Sequence, residues 1–398
     1  MLDMNFFKAI ILGFFLFGYQ SAYTQEVSQG ENLEIAIMTM GPYQSELYSA
    51  FGHSAIRVSD TSKNIDYVFN YGVFNFNQEN FYWNFARGKM LYQLGLSNYD
   101  RFKNHYVAEN RYIIEQYLNL SAEDKLALFK FLKTNYQPEN REYYYNYVYN
   151  NCSSKIRDVL LEAIPYEITF NYDYVEENLT VRDLMHRYLT YQPWGAWIID
   201  IGLGSQIDQV AAPDVYMFLP DYVEKSLAKA TILIDSLEVP LLSKTVNVYT
   251  STPEEFENGF LTPFTTFVLL FFIVGFITNR DFKTGKRTKW VDIVLFTFVG
   301  IVGWWCVFLW AGTEHLSKAN MNLLWAIPLH IPLIYLLGIK RFQKVISKYF
   351  LITSIWYLLL LVLWGVLSQP LHDAMIPITL TMILRGFFIH FDLNRLGK

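Results

Sequence analysis

Apolar and polar positions divide this chain into three regimes. Residues 1–24 carry one short apolar stretch, from Ala9 to Phe17, with Lys8 before it and Ser21-Ala22-Tyr23-Thr24 after it. That is the layout of a secretory signal cleaved near small residues, and the stretch is too short to span a bilayer. Residues 25–258 mix polar and apolar positions with the periods of strands and helices. Residues 259–398 are dominated by five apolar runs, at 260–278, 291–311, 322–339, 349–368 and 374–391. Each approaches the roughly 20 residues a membrane helix requires.

Charge orients these runs. The loop after the first holds Arg280, Lys283, Lys286, Arg287 and Lys289. The loop between the third and fourth holds Lys340, Arg341, Lys344 and Lys348, and Arg395 and Lys398 follow the fifth. The other two loops, 312–321 and 369–373, are nearly free of positive charge. The basic loops are therefore expected in the cytoplasm and the segment before the first run outside it, in agreement with the signal. The expected arrangement is a multi-pass protein of a bacterial inner membrane, with residues 25–258 folded in the periplasm. Composition fits: 52% of residues are hydrophobic and 17% charged, which is too apolar for an ordinary soluble protein. A net charge of −5, with no basic stripe, gives no argument for a nucleic-acid partner.

In the polar regime, 33–40, 54–58 and 67–71 read as strands, with a turn at 60–64 between the last two. Ser121-Ala122-Glu123-Asp124 opens a helix, with serine as N-cap and acids in the first turn. A tyrosine-rich run ends in Asn150-Asn151-Cys152-Ser153-Ser154, after which apolar residues at 156, 159, 160, 163 and 164 form a helical stripe. Cys152 thus falls at a helix N-terminus, where unpaired N–H groups and the helix dipole favour thiolate.

A histidine would complete such a nucleophile. The candidate is His53, preceded by Gly52 and followed by a strand that fixes its ring direction. A hairpin turning at about 61–64 brings residues near 70 opposite residues near 55, which makes Asn70 the choice to orient the imidazole. A one-residue slip would substitute Tyr71. Alone, His53 would read as a structural histidine at a strand start; paired with the one cysteine in a polar segment, it reads as catalytic. The backbone N–H of Cys152 is the candidate oxyanion donor. His105 and His186 read as surface residues, His315 and His372 as residues of the outer loops, and His330 and His390 as belonging to spans. Cys306, in an apolar run, reads as core. Arg385 in the last run should face the bundle interior or an aqueous pocket, or else snorkel to the interface. No zinc-spaced Cys/His cluster and no glycine-rich phosphate loop occurs, so neither metal nor cofactor is expected.

These motifs resemble those of the Lnb-type lipoprotein N-acyltransferases, a circularly permuted branch of the NlpC/P60 papain-like superfamily. The resemblance lies in Phe51-Gly52-His53-Ser54-Ala55-Ile56-Arg57-Val58, Phe69-Asn70-Tyr71-Gly72-Val73-Phe74, Asn151-Cys152-Ser153-Ser154, Pro193-Trp194, Met217-Phe218-Leu219-Pro220-Asp221-Tyr222 and Asn320-Met321-Asn322-Leu323-Leu324-Trp325. It implies an α+β permuted papain-like periplasmic domain followed by an all-α five-helix transmembrane domain. It also implies that Cys152 takes an acyl chain from a phospholipid and passes it to the α-amine of a diacylglyceryl-cysteine lipoprotein, with His53 moving the protons. The alternative on the same scaffold is a membrane-anchored cysteine hydrolase, a phospholipase or cell-wall amidase.

Overall fold

The structure, a computed structural model, describes residues 30–74, 78–175, 178–252 and 256–396. The expected signal at 1–24 lies outside the described residues. Seven strands form the main sheet: β1 (Leu33–Met40), β2 (His53–Asp60), β3 (Ile65–Phe74), β4 (Leu91–Asn98), β5 (Ile113–Leu118), β6 (Glu142–Tyr144) and β10 (Leu242–Tyr249). Their order is β10-β5-β1-β2-β3-β4-β6, and every neighbouring pair is antiparallel. Strands β7 (Ile168–Thr169), β8 (Thr231–Ile234) and β9 (Leu237–Pro240) make a small second sheet.

Strand β1 is covered on both faces, as side-chain alternation requires of a central strand. Leu33, Ile35 and Ile37 point into one core, with helices α3 (Ala122–Asn135), α4 (Cys152–Ala163) and α7 (Pro220–Ala228). Met38 and Met40 point into another, against Tyr99, Phe102 and Tyr106 of α2 (Tyr99–Ala108). The predicted N-cap holds: the Ser121 hydroxyl accepts from the Asp124 N–H at 3.1 Å.

Among the described residues, four helices are long and apolar enough to cross a membrane: α8 (Pro263–Thr284), α9 (Lys289–Gly312), a helix at 340–366 whose regular part is α11 (Gln343–Leu363), and α12 (Met375–Leu396). The third expected span, 322–339, is not one long helix. It is a turn at Met321–Leu324 and a short helix, α10 (His330–Leu336). Pro328 and Pro332 explain the break, since each removes a backbone donor and crowds the preceding turn. Irregular backbone at this depth is tolerated only when wrapped in protein. Accordingly Asn322, Trp325, Ala326 and His330 are fully buried, and His330 is held between the hydroxyls of Tyr357 (2.5 Å) and Tyr349 (2.9 Å). Arg385 takes the interior option: it is fully buried and bonded to Asp292 and Asp281.

The two parts of the chain are joined at the end of the bundle that carries little positive charge. Helix α6 (Pro193–Gly202) leaves C-terminal carbonyls that need partners. Asn322 donates to the Asp200 carbonyl (2.8 Å), Asn320 to Ile201 (2.7 Å), Ser317 to Gly202 (2.6 Å) and Gln369 to Leu203 (2.9 Å). Both expected outer loops therefore grip the sheet-containing part. The basic turn after α8 lies at the other end, where Arg395 reaches the Gly285 carbonyl.

Candidate active site

Three local features build the site. Gly52 turns the chain into β2 with φ +84°, and a Cβ there would lie 2.8 Å from the Met40 carbonyl oxygen. Only glycine meets both conditions easily. His53 then opens β2, and its ring stacks on Tyr106 with centroids 6.1 Å apart. On the neighbouring strand, Asn70 accepts a hydrogen bond from His53 Nε2 at 2.6 Å. That bond leaves Nδ1 as the ring nitrogen free for the thiol.

Helix α4 presents Cys152 as its first residue. Asn151 caps it, accepting from the N–H groups of Ser153 (3.0 Å) and Ser154 (2.9 Å). The Ser154 hydroxyl accepts in return from the Asn151 N–H at 2.8 Å, which closes a capping box. The Cys152 N–H stays outside that cap. Ser54 and Ser153, both fully buried, bond through their hydroxyls at 3.0 Å. These small residues let the start of α4 approach β2 closely. Gly72, with φ +96°, completes the wall: a Cβ there would lie 3.5 Å from Cys152 Cβ and 3.9 Å from His53 Cε1.

Burial opposes charge on both partners, yet their mutual attraction wins. For Cys152, burial raises the pKa, while the His53 charge, the hydrogen bond to His53, the Ser54 backbone N–H and the Ser153 hydroxyl lower it, from an ordinary 9.0 to about 7. For His53, burial lowers the pKa, but the Cys152 charge and hydrogen bonds to Cys152 and Asn70 raise it above its usual value. The pair thus favours thiolate and imidazolium together near neutral pH. Iodoacetamide labelling of Cys152, read by peptide mass spectrometry, is expected to rise with pH through an inflection near 7. In His53→Ala the buried thiolate loses its counter-charge, and the inflection should move above the ordinary thiol range. A wild-type inflection at the ordinary value would contradict the ion pair.

The structure therefore brings Cys152, His53 and Asn70 together. Tyr71, the residue favoured by a register slip, points instead into the core, its hydroxyl accepting from Asn135 at 3.2 Å. Cys306 is buried in the bundle with its thiol 3.8 Å from the Ile201 carbonyl. His186 is partly exposed as expected, but it is also bonded to buried Asp200 (2.9 Å), which pairs with buried Arg182 (2.8 Å). Two supports were not assigned a role from the sequence. The Phe218 carbonyl accepts from Asn151 Nδ2 at 2.8 Å, and Pro220 packs against Gly52. One motif, 217–222, thus braces both the cap of the cysteine helix and the turn of the histidine strand. The sequence of this motif does not show what it touches.

These features define a membrane protein with a thiol–imidazole pair in a mixed α/β part docked on an apolar helical bundle. Two family models match the chain: the Lnb N-terminal periplasmic domain over residues 19–187, and the Lnb transmembrane domain, designated a five-helix domain, over residues 255–395. The chain belongs to the Lnb family. Its N-terminal part is accordingly periplasmic, and the family together with the site points to a membrane-bound enzyme. No curated protein and no solved structure matches it.

Proposed function

We propose that this chain is an inner-membrane lipoprotein N-acyltransferase working through an acyl-thioester on Cys152. The observation that carries the reading is the Cys152–His53–Asn70 arrangement at the start of α4, in a part of the chain clamped to the membrane bundle. The sheet with α4 is read as a papain-like unit in which the histidine strand precedes the cysteine helix.

In the first half-reaction the thiolate attacks an ester carbonyl of a phospholipid. A C–S bond forms, the ester C–O bond breaks, and His53 gives its proton to the lysophospholipid oxygen. In the second, the α-amine of a diacylglyceryl-cysteine attacks the thioester. A C–N bond forms, the C–S bond breaks, and His53 takes the amine proton, after which the thiol is restored. In this reading the Cys152 N–H donates a hydrogen bond to the oxyanion that forms on the carbonyl oxygen. Docking on the bundle is what the substrates demand, since drawing an acyl chain into water costs about 0.8 kcal/mol per methylene.

The test uses the full chain in nanodiscs with acyl-labelled phospholipid and a diacylated lipopeptide. Label should appear on Cys152 and then on the peptide amine. Release of free fatty acid alone would replace the reading with a hydrolase, and an unlabelled protein would remove both.

A further inference from the structure

A run of aromatic rings leads from the membrane end of the molecule to the thiol. It begins on α1 (Phe81–Ala86), a short helix of sequence Phe-Tyr-Trp-Asn-Phe-Ala. Its large apolar side chains face outward: Tyr82 is 84% exposed, Trp83 56% and Phe85 51%. This helix lies against the outer end of α9. Trp83 packs 6.2 Å from Phe308, the Glu314 N–H donates to the Arg87 carbonyl at 2.9 Å, and Lys89 pairs with Glu314 at 3.4 Å. The α9 face continues outward with exposed Trp304, Trp305 and Trp310, the residue type enriched where membrane meets water.

From α1 the rings run inward. Phe85 to Phe81 is 6.1 Å between centroids, Phe81 to Phe74 6.2 Å, Phe74 to Tyr92 5.2 Å and Tyr92 to Tyr145 4.1 Å. Tyr145 then meets Gly72, the residue whose other neighbours are Cys152 and His53. Phe85 and Phe74 are exposed, while Phe81, Tyr92 and Tyr145 are half-buried. A shallow depression beside the row is lined by Phe81, Phe85, Met90 and Tyr92.

We propose that this row is the route and seat of the donor acyl chain: α1 sits in the outer-leaflet interface and the chain lies along Phe81, Phe74, Tyr92 and Tyr145 with its carbonyl at Cys152. This deepens the acyl-thioester reading and rests on it. Continuity with the bundle face argues for a bilayer lipid as occupant. The end point argues for the donor, because only the donor chain terminates in the carbonyl that the sulfur attacks. In the thioester the same chain still fills the row, so the acceptor's own chains must approach from elsewhere.

Two measurements on the full chain test this. In detergent, acylation of Cys152 is followed with p-nitrophenyl palmitate and p-nitrophenyl butyrate. The wild type should prefer the long chain, and the palmitate-to-butyrate rate ratio should fall about tenfold in Phe81→Ala and in Tyr92→Ala, with Tyr92→Phe restoring it. An unchanged ratio in both alanine variants overturns the route while leaving thioester chemistry intact. If neither ester acylates Cys152 in the wild type, the thioester reading itself falls and the route with it. In nanodiscs, a phospholipid with a diazirine on its acyl chain should label peptides containing Phe81–Tyr92. Label confined to the bundle helices, or stronger labelling of those peptides by a diazirine-bearing lipopeptide, overturns the assignment of donor chain to this row.

Discussion

Cys152→Ser is expected to abolish acyl transfer, with a loss of roughly a thousandfold or more. The substitution keeps the size of the group and leaves the Asn151–Ser154 capping box in place, so the helix start should persist. What it removes is the ability to ionise. The surroundings that bring the thiol to about 7, namely His53, the Ser54 N–H and the Ser153 hydroxyl, cannot bring an alcohol into the neutral range. His53→Ala should lose nearly as much, and the double variant little more than either single one, because two groups that act as a unit are not additive. Asn70→Ala should cost less and reveal itself in the pH profile. Its bond to His53 helps hold the imidazole protonated, so without it the basic limb of the rate should move to lower pH. Transfer kinetics in nanodiscs, with circular dichroism to verify folding, decide this. A Cys152→Ser variant retaining more than about a tenth of the wild-type rate would dismiss the nucleophile.

What the sequence made legible was local. Strand β1 occupies the span that alternation predicted, and α4 begins at the cysteine because the apolar stripe and the Asn-Cys-Ser-Ser cap agree. Asn70 was found because one hairpin fixes both its position and that of His53; β2 and β3 pair Arg57 with Val68 and Ile56 with Phe69, the residue before Asn70. What stayed hidden depends on distant partners. Nothing near Leu242 announces that β10 closes the far edge of the sheet beside β5. The aromatic cluster at 81–85 has no clear period, so α1 was not read as an element, and its place beside α9 follows from contacts 220 or so residues away in sequence. The third apolar run matched the length of a span, and its two prolines carried the information that it would break.

The same limit applied to Arg385, for which composition offered an interior or an interfacial position and geometry supplies the partners. Its Nη2 meets Asp281 at 3.0 Å and the Thr288 carbonyl at 3.1 Å, its Nη1 meets Thr278 at 3.1 Å, and its Nε bonds Asp292. Arg287 lies 3.4 Å from both Asp292 and Asp392, and Arg395 bonds Asp392 at 3.0 Å. With Arg280, which lies 3.3 Å from Asp281, four arginines meet three aspartates where α8, α9 and α12 converge. Both carboxylates that Arg385 touches are fully buried, so removing it takes away the one fully buried cation that bonds both and leaves Asp292 to Arg287 and Asp281 to the half-exposed Arg280, each at a longer distance. Arg385→Ala should therefore destabilise the bundle by about 3–5 kcal/mol, seen as a large drop in melting temperature and in yield of monodisperse protein in detergent. Arg385→Leu combined with Asp281→Leu and Asp292→Leu should recover much of that loss, because an apolar set of similar volume carries no unpaired charge. The site chemistry at Cys152 lies at the opposite end of the bundle, so thiol labelling in whatever Arg385→Ala protein remains folded should keep its inflection near 7. An Arg385→Ala variant that melts with the wild type would show that the cluster is solvated rather than sealed, and the account of Arg385 as a buried counter-ion would fail.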